Sequence, residues 1–251
     1  MSGVTLVTGG GAGIGRAAAR AFAARGDRVV VADLDPRPEE VAAGLDSERF
    51  RFVRLDVSDT DAVHEVVARI AGDEGSLDVV HNNAGVASRQ VPLHEVSVAE
   101  WDRVIGTNLR GCWNVLAAAL RIMRKQGRGS IVNTASIGAA GGLAERGPYC
   151  AAKAGVVAMT RVAALENGSV GIRVNAVLPG TIETELSIAA LGGVAPTGPD
   201  PVGRLGSPDE VAAAVVWLSS SAASYVNGAC LTVDGGWTVG VPPRTSTAGS
   251  V

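Results

Sequence analysis

Short apolar runs alternate along the chain with longer stretches of helical composition. Val4–Thr8 is the first such run and ends in glycines. Ile14–Arg25 follows as a predicted helix, with Gly26 suited to the left-handed position just past its end. Further strands are predicted over Arg28–Asp33, Arg51–Asp56, Leu77–Asn82, Ser130–Ala135, Ile172–Leu178 and Ala229–Val233. Between them lie predicted helices. One is capped by Ser58 and runs to about Ala71. Another opens on the capping-box pattern Ser97-Val98-Ala99-Glu100 and runs to about Lys125. A third covers Tyr149–Glu166, and a fourth opens on Ser207-Pro208-Asp209-Glu210 and ends near Leu218. The strands are continuous apolar runs, as expected where both faces of a sheet are covered. Strands separated by helices imply right-handed parallel crossovers. The expected fold class is therefore α/β: one domain over residues 1–251, a doubly wound parallel sheet of about seven strands with helices on both faces. A flexible lid is expected at about residues 185–206, with apolar Leu186, Ile188, Leu191 and Val194. A loose or partner-docked tail is expected at 241–251.

Composition narrows the function. Hydrophobic residues make up 47% of the 251, enough for a packed core. The balance of 22 basic and 25 acidic residues gives a net charge of −3 and no footprint for nucleic acid. No apolar run is long enough for a membrane span. The first residues carry no basic leader with a cleavage pattern, so a cytoplasmic protein is expected. Cys112, Cys150 and Cys230 are odd in number and far apart, which suggests buried free thiols. His64, His81 and His94 form no paired metal motif, so no metal is expected.

Glycine is in excess, with 33 residues, and it concentrates where chemistry is expected. The first strand-to-helix turn reads Thr8-Gly9-Gly10-Gly11-Ala12-Gly13-Ile14-Gly15. Glycines there let backbone approach a pyrophosphate, and the helix N-terminus favours its charge. Asp33 closes the second strand, where an acid hydrogen-bonds the adenosine ribose hydroxyls. The expectation is a Rossmann-type dinucleotide site. Asp33 would repel the extra phosphate of NADP. Positions 10–12 and Leu34 offer no cation, and Arg37 lies beyond Asp35 and Pro36. NAD is the expected cofactor and NADP the less favoured one.

The turn spacing Thr-Gly-x-x-x-Gly-x-Gly resembles that of the short-chain dehydrogenase/reductase family, in its classical branch. The likeness runs from about residue 3 to 238. Asp56-Val57 resembles the family's adenine-contacting pair, and Asn82-Asn83-Ala84-Gly85 its loop after the fourth strand. Asn108 matches its active-site asparagine. Ser136, with Tyr149-Cys150-Ala151-Ala152-Lys153, matches its serine and Tyr-x-x-x-Lys motif. Pro179-Gly180-Thr181-Ile182-Glu183-Thr184 matches its nicotinamide-contacting segment. Cys150 stands where the family often has serine.

Tyr149 and Lys153 are four residues apart, so on one helix they share a face. A free tyrosine, with a pKa of ~10, is a poor base at neutral pH. A neighbouring ammonium favours the phenolate. Tyr149 would then take the hydroxyl proton of an alcohol, or return it to a ketone. Ser136 would hydrogen-bond the substrate oxygen. The resemblance further implies that Lys153 holds the nicotinamide ribose and that Asn108, at a break in its helix, supports a proton-relaying water. It implies that Thr184 and the backbone at Ile182 hold the carboxamide. The expected catalytic set is Asn108, Ser136, Tyr149 and Lys153. The expected cofactor set adds Gly9, Gly11, Ala12, Gly13, Ile14, Gly15, Asp33, Leu34, Asp56, Val57, Asn83, Ala84, Gly85, Pro179, Gly180, Ile182 and Thr184 to Tyr149 and Lys153.

The expected activity is interconversion of a secondary alcohol and a ketone with NAD(H), on a small or medium substrate such as a cyclic alcohol or diol. Leu143 and Ala144 are expected to make one pocket wall apolar. The alternatives are a 3-oxoacyl-carrier-protein reductase and a non-catalytic dinucleotide sensor or scaffold. Trp101, Trp113 and Trp217 are expected to pack on helices, and Trp237 at a subunit contact. The resemblance implies a homotetramer, consistent with the small residues Ala151, Ala152, Ala154, Gly155 and Ala158 on the Tyr149 helix.

Overall fold

The structure is a computed structural model that describes residues 3–185, 187 and 201–240. The tail at 241–251 and most of the expected lid, including Leu186, Ile188, Leu191 and Val194, lie outside the described residues.

Seven parallel strands form one sheet: β1 Val4–Thr8, β2 Arg28–Asp33, β3 Phe50–Arg54, β4 Val79–Asn82, β5 Gly129–Thr134, β6 Ile172–Pro179 and β7 Cys230–Val233. Their order is β3-β2-β1-β4-β5-β6-β7. The chain winds outward from β1 to β3, then crosses back to β4 and winds the other way. The strand order thus reverses between β1 and β4. In open α/β sheets this switch point leaves a crevice at the carboxyl ends of the strands, where ligands bind.

Helices α1 Gly13–Ala24, α2 Pro38–Ala42, α3 Thr60–Glu74, α4 Val98–Ile105, α5 Cys112–Gln126, α6 Gly147–Asn167 and α7 Pro208–Ser219 cover the sheet. Two cores result. On one face Val7, Val29, Val31 and Val132 meet Ala18, Phe22, Val211 and Leu218 of α1 and α7. On the other, Leu6, Val30, Val80 and Ile131 meet Val63, Ile70, Val115, Met123 and Ala163 of α3, α5 and α6. Leu6 and Val7, adjacent on β1, thus enter opposite cores, and all five residues of the strand are buried.

Three expectations change in detail. Ser58 is not the cap of α3. Its N–H and hydroxyl both donate to Asp56 Oδ1, at 2.8 and 2.7 Å, and Asp59 caps instead, accepting from Ala62 N. The helix predicted over 97–125 is divided into α4 and α5 by a wide π-helical turn, Gly106–Gly111, which holds Asn108 at the break that the resemblance implied. Ser97 accepts from Glu100 N, but the Glu100 carboxylate turns away to Arg89 N and Arg103, so the box is half formed. The box on α7 is complete, with Ser207 and Glu210 each bonding the other's backbone. Helix α2 has no sequence signal, because five residues are too few to show a period.

Burial also departs from expectation. Cys112 alone of the thiols is buried; Cys150 and Cys230 are partly exposed. Trp101, Trp113 and Trp217 are 40%, 47% and 44% exposed, so they are not core residues of the single chain.

Candidate active site

A cavity of about 440 Å³ opens at the switch point. That is within the range of small-molecule and cofactor pockets. The glycine turn after β1 makes one wall, with Gly9, Ala12, Gly13 and Ile14; Asp33 and Leu34, from the end of β2, continue it. Asp56 and Val57 follow β3, and Asn83, Ala84 and Gly85 follow β4. Ser136 lies just past β5, and Pro179, Gly180 and Thr184 lie at and beyond the end of β6. Tyr149 and Lys153 come from α6. Most of the expected site residues thus line one cleft. Gly11, Gly15, Asn108 and Ile182 do not line it. Gly11 N donates to Asp33 Oδ2 at 2.9 Å, and Ile182 is buried and bridges to Gly206. A Cβ on Gly15 would lie 2.0 Å from Gly9 O, so only glycine lets α1 start against the turn.

The residues fit a dinucleotide phosphate. Helix α1 begins with no side-chain cap and no acid in its first turn, so its leading N–H groups are free to face an anion. Gly9 adopts φ +64°, and a Cβ there would lie 2.8 Å from Ala84 Cα, so the turn packs hard on the loop after β4.

That packing is held by a polar chain that the sequence did not reveal. Asn83 Nδ2 donates to Thr8 O and Gly9 O, both at 3.2 Å. Its Oδ1 therefore accepts, from Thr134 Oγ1 at 3.1 Å. With its proton so used, the Thr134 hydroxyl accepts from His81 Nε2 at 2.9 Å. His81 is consequently the Nε2–H tautomer, and its buried Nδ1 has no partner among the described residues. Complete burial pushes the imidazole down to about 3, so it is neutral at physiological pH. The only available signal was a pair of polar residues, His81 and Thr134, inside apolar strands.

The chemical end of the cleft is equally constrained. Lys153 is buried at 4% exposure and donates from Nζ to Thr134 O at 2.7 Å. Its Nζ is 5.7 Å from the centre of the Tyr149 ring. A Cβ on Gly85 would sit 3.1 Å from Asn108 Oδ1 and 3.6 Å from Lys153 Nζ, so glycine leaves room for both. Asn108 lies in the π-helical turn and uses its amide on the loop after β4. Oδ1 accepts from Val86 N at 2.7 Å, and Nδ2 donates to Val86 O at 2.8 Å. Ser136 Oγ accepts from Gly138 N at 3.1 Å, which leaves its own proton free to donate. Serine, tyrosine and lysine thus line the same cleft as the start of α1.

Sequence reasoning missed Leu55, Val86, Thr107, Thr134, Ala135 and Glu185 in the lining. Thr134 and Ala135 could have been anticipated from their place at the carboxyl end of a central strand. The 141–146 segment, expected as an apolar wall, does not line the cavity. Leu143 packs toward Gly138, and its N–H meets Cys150 Sγ at 3.4 Å.

A doubly wound parallel sheet carrying these groups at its switch point defines a nicotinamide-dinucleotide oxidoreductase, and the chain belongs to the short-chain dehydrogenase/reductase family, in its classical branch. A family model described as Enoyl-(Acyl carrier protein) reductase matches residues 9–238. The chain is 46% identical over 239 residues to cis-4-hydroxycyclohexanecarboxylate dehydrogenase of Sinomonas cyclohexanicum, covering 94% of this chain and 96% of that one. The crystal structure of levodione reductase superposes with a TM-score of 0.88 at 37% identity, over 94% and 97% of the two chains. The structure of ElxO with NADP bound superposes at 0.90 and 30% identity, over 96% and 100%. The protein is accordingly an oxidoreductase acting on CH–OH groups. Among the described residues no cluster of three or more His, Cys, Asp or Glu could hold a metal ion, and no helix is long and apolar enough to cross a membrane.

Proposed function

We propose that the protein interconverts a small or medium secondary alcohol and its ketone with NAD(H), and that Tyr149 is the general acid/base. The observation that carries this reading is the convergence of Ser136, Tyr149 and Lys153 in the cleft that the uncapped start of α1 also enters. When bound, NAD supplies the acceptor for the hydride that leaves the substrate carbon. Gly9, Ala12, Gly13 and Ile14 hold its pyrophosphate. Asp33 and Leu34 hold its adenosine ribose, and Asp56 and Val57 flank the adenine. Asn83, Ala84, Gly85, Pro179, Gly180 and Thr184 surround the nicotinamide end, with the backbone at Ile182.

In the oxidative direction Tyr149 takes the hydroxyl proton while the free Ser136 proton stabilises charge growing on the substrate oxygen. Lys153 keeps a positive charge near the phenol and holds the nicotinamide ribose. Asn108 fixes the loop after β4 with its side chain and supports a water that passes protons through Lys153. In the reductive direction each proton moves back.

NAD is favoured over NADP for two reasons. Asp33 presents a carboxylate at the ribose wall. Arg37, the cation nearest to it in sequence beyond the strand end, is already paired with Asp35 and Glu185. The relative named for a hydroxyl on a cyclohexane ring supports a cyclic alcohol as substrate. The same reading makes the protein a cytoplasmic homotetramer.

Tyr149→Phe tests the assignment. Turnover of a panel of cyclic alcohols and ketones should fall by at least ~100-fold while NADH binding, read by fluorescence, persists. Unchanged turnover would refute the base. A wild type that binds NADH but turns over nothing, acyl-carrier-protein thioesters included, would mark a sensor instead.

A further inference from the structure

A cluster of charges crosses the mouth of the cofactor cleft. Arg37 precedes α2 and has φ +43°, a backbone conformation uncommon outside glycine. Its Nε donates to Asp35 Oδ2 at 3.1 Å. Its Nη1 lies 3.1 and 3.0 Å from the two carboxylate oxygens of Glu185, 148 residues away in sequence. Glu40 Oε2 is 3.9 Å from the same nitrogen. Arg16 of α1 pairs with Glu40 and lies 3.8 Å from Glu185 Oε1. Glu185 lines the same cavity as Asp33 and Leu34. The Arg37–Glu185 pair therefore joins the loop after β2, beside the adenosine ribose wall, to the segment after β6, beside the nicotinamide end.

This geometry matters for the choice of dinucleotide. An arginine near the end of β2 is what accommodates a ribose 2′-phosphate in this kind of site. Arg37 has the reach and the chemistry, since a guanidinium fork matches phosphate geometry. Its guanidinium is, however, spent on the carboxylates of Asp35 and Glu185. Arg16 and Arg37 face Asp35, Glu40 and Glu185, two cations against three carboxylates, and one of those carboxylates comes from across the cleft.

We propose that Glu185 is a cofactor-specificity residue: from the far wall it captures the Arg37 guanidinium and so withholds it from a 2′-phosphate. Discrimination against NADP then has two parts. Asp33 repels the phosphate directly, and Glu185 disables the cation that could answer it. This inference rests on the NAD reading above.

Titrations of NADH and NADPH, followed by fluorescence at low ionic strength, test it on wild type, Glu185→Gln, Arg37→Gln and the double variant. Glu185 and Arg37 sit at the surface end of the cleft, and NADH affinity serves as the internal reference for a formed site. Glu185→Gln should raise the ratio of NADPH to NADH affinity on the order of tenfold, because a charge-assisted phosphate contact becomes available. The double variant should lose that gain, since the gain needs Arg37. A wild type that prefers NADH, combined with an unchanged ratio in Glu185→Gln, overturns the role of Glu185 alone. A gain that survives in the double variant overturns it too, by placing the new contact elsewhere. A wild type that binds both dinucleotides equally overturns the Asp33 reading, and this inference with it.

Discussion

His81 is a residue whose protonation the fold controls and the reaction does not use. Burial holds its folded pKa at about 3, below the unfolded value of about 6.5. Below pH 6.5 the unfolded chain therefore takes up a proton that the native chain refuses. Stability should fall as pH drops from about 6.5 toward 3, by up to about 1.4 kcal/mol per pH unit from this one site. The carboxylates held below their ordinary range, such as Glu210 at about 2 and Glu100, begin to lose their contribution only below their unfolded value of about 4.5. The window from about pH 6.5 to 4.5 consequently belongs largely to His81. Urea midpoints across that window should slope less in His81→Gln than in wild type. Equal slopes would show that the imidazole takes up its proton alike in the folded and unfolded states. The native tautomer was not legible in the sequence, because it follows from Thr134 and Asn83, which lie on other segments of the chain.

Helix starts are the elements that local sequence describes best. Helix α7 opens as expected, with Ser207 accepting from Glu210 N at 3.3 Å and the Glu210 carboxylate returning to Ser207 N at 2.8 Å. Arg204 braces the same carboxylate and is the main reason its pKa falls to about 2. Ser207→Ala should cost about 1 kcal/mol in urea unfolding, as loss of a capping hydroxyl usually does. Because α7 packs directly on α1, amide exchange should rise at the starts of both helices. A loss confined to α7 would mean that the packing does not couple them. The Ser58 and Ser97 patterns look much the same in sequence yet behave differently. Asp56 claims Ser58, and Arg89 and Arg103 claim Glu100. A cap motif states a preference, and its long-range competitors decide whether it is met.

On the scale of the molecule, the exposed apolar groups are the open account. Trp101, Trp113 and Trp217 are each two-fifths or more exposed, and Leu165 of α6 is 86% exposed. A single chain gains little by leaving such large apolar side chains in water. The proposed homotetramer would cover them. Static light scattering at micromolar concentration should return about four times the 25.3 kDa chain mass. A monomer there would overturn the assembly and leave the tryptophans without a role.

The strand-and-helix alternation, the glycine turn, Asp33 and the Tyr149–Lys153 spacing were all legible in the sequence. Each rests on short-range geometry: a strand feeding a turn, an acid closing a strand, two side chains four apart on one helix. Most of the cleft lining was legible too, since the strand ends it needs carry recognisable residues. Other features were settled only in the folded molecule. The chain from His81 through Thr134 and Asn83 to the glycine turn and the capture of Arg37 by Glu185 join residues 51 to 148 positions apart. Which tryptophans stay in water was decided there as well. Residue type shows what a side chain can bond or bury, but its partner is chosen by where packing brings distant segments together.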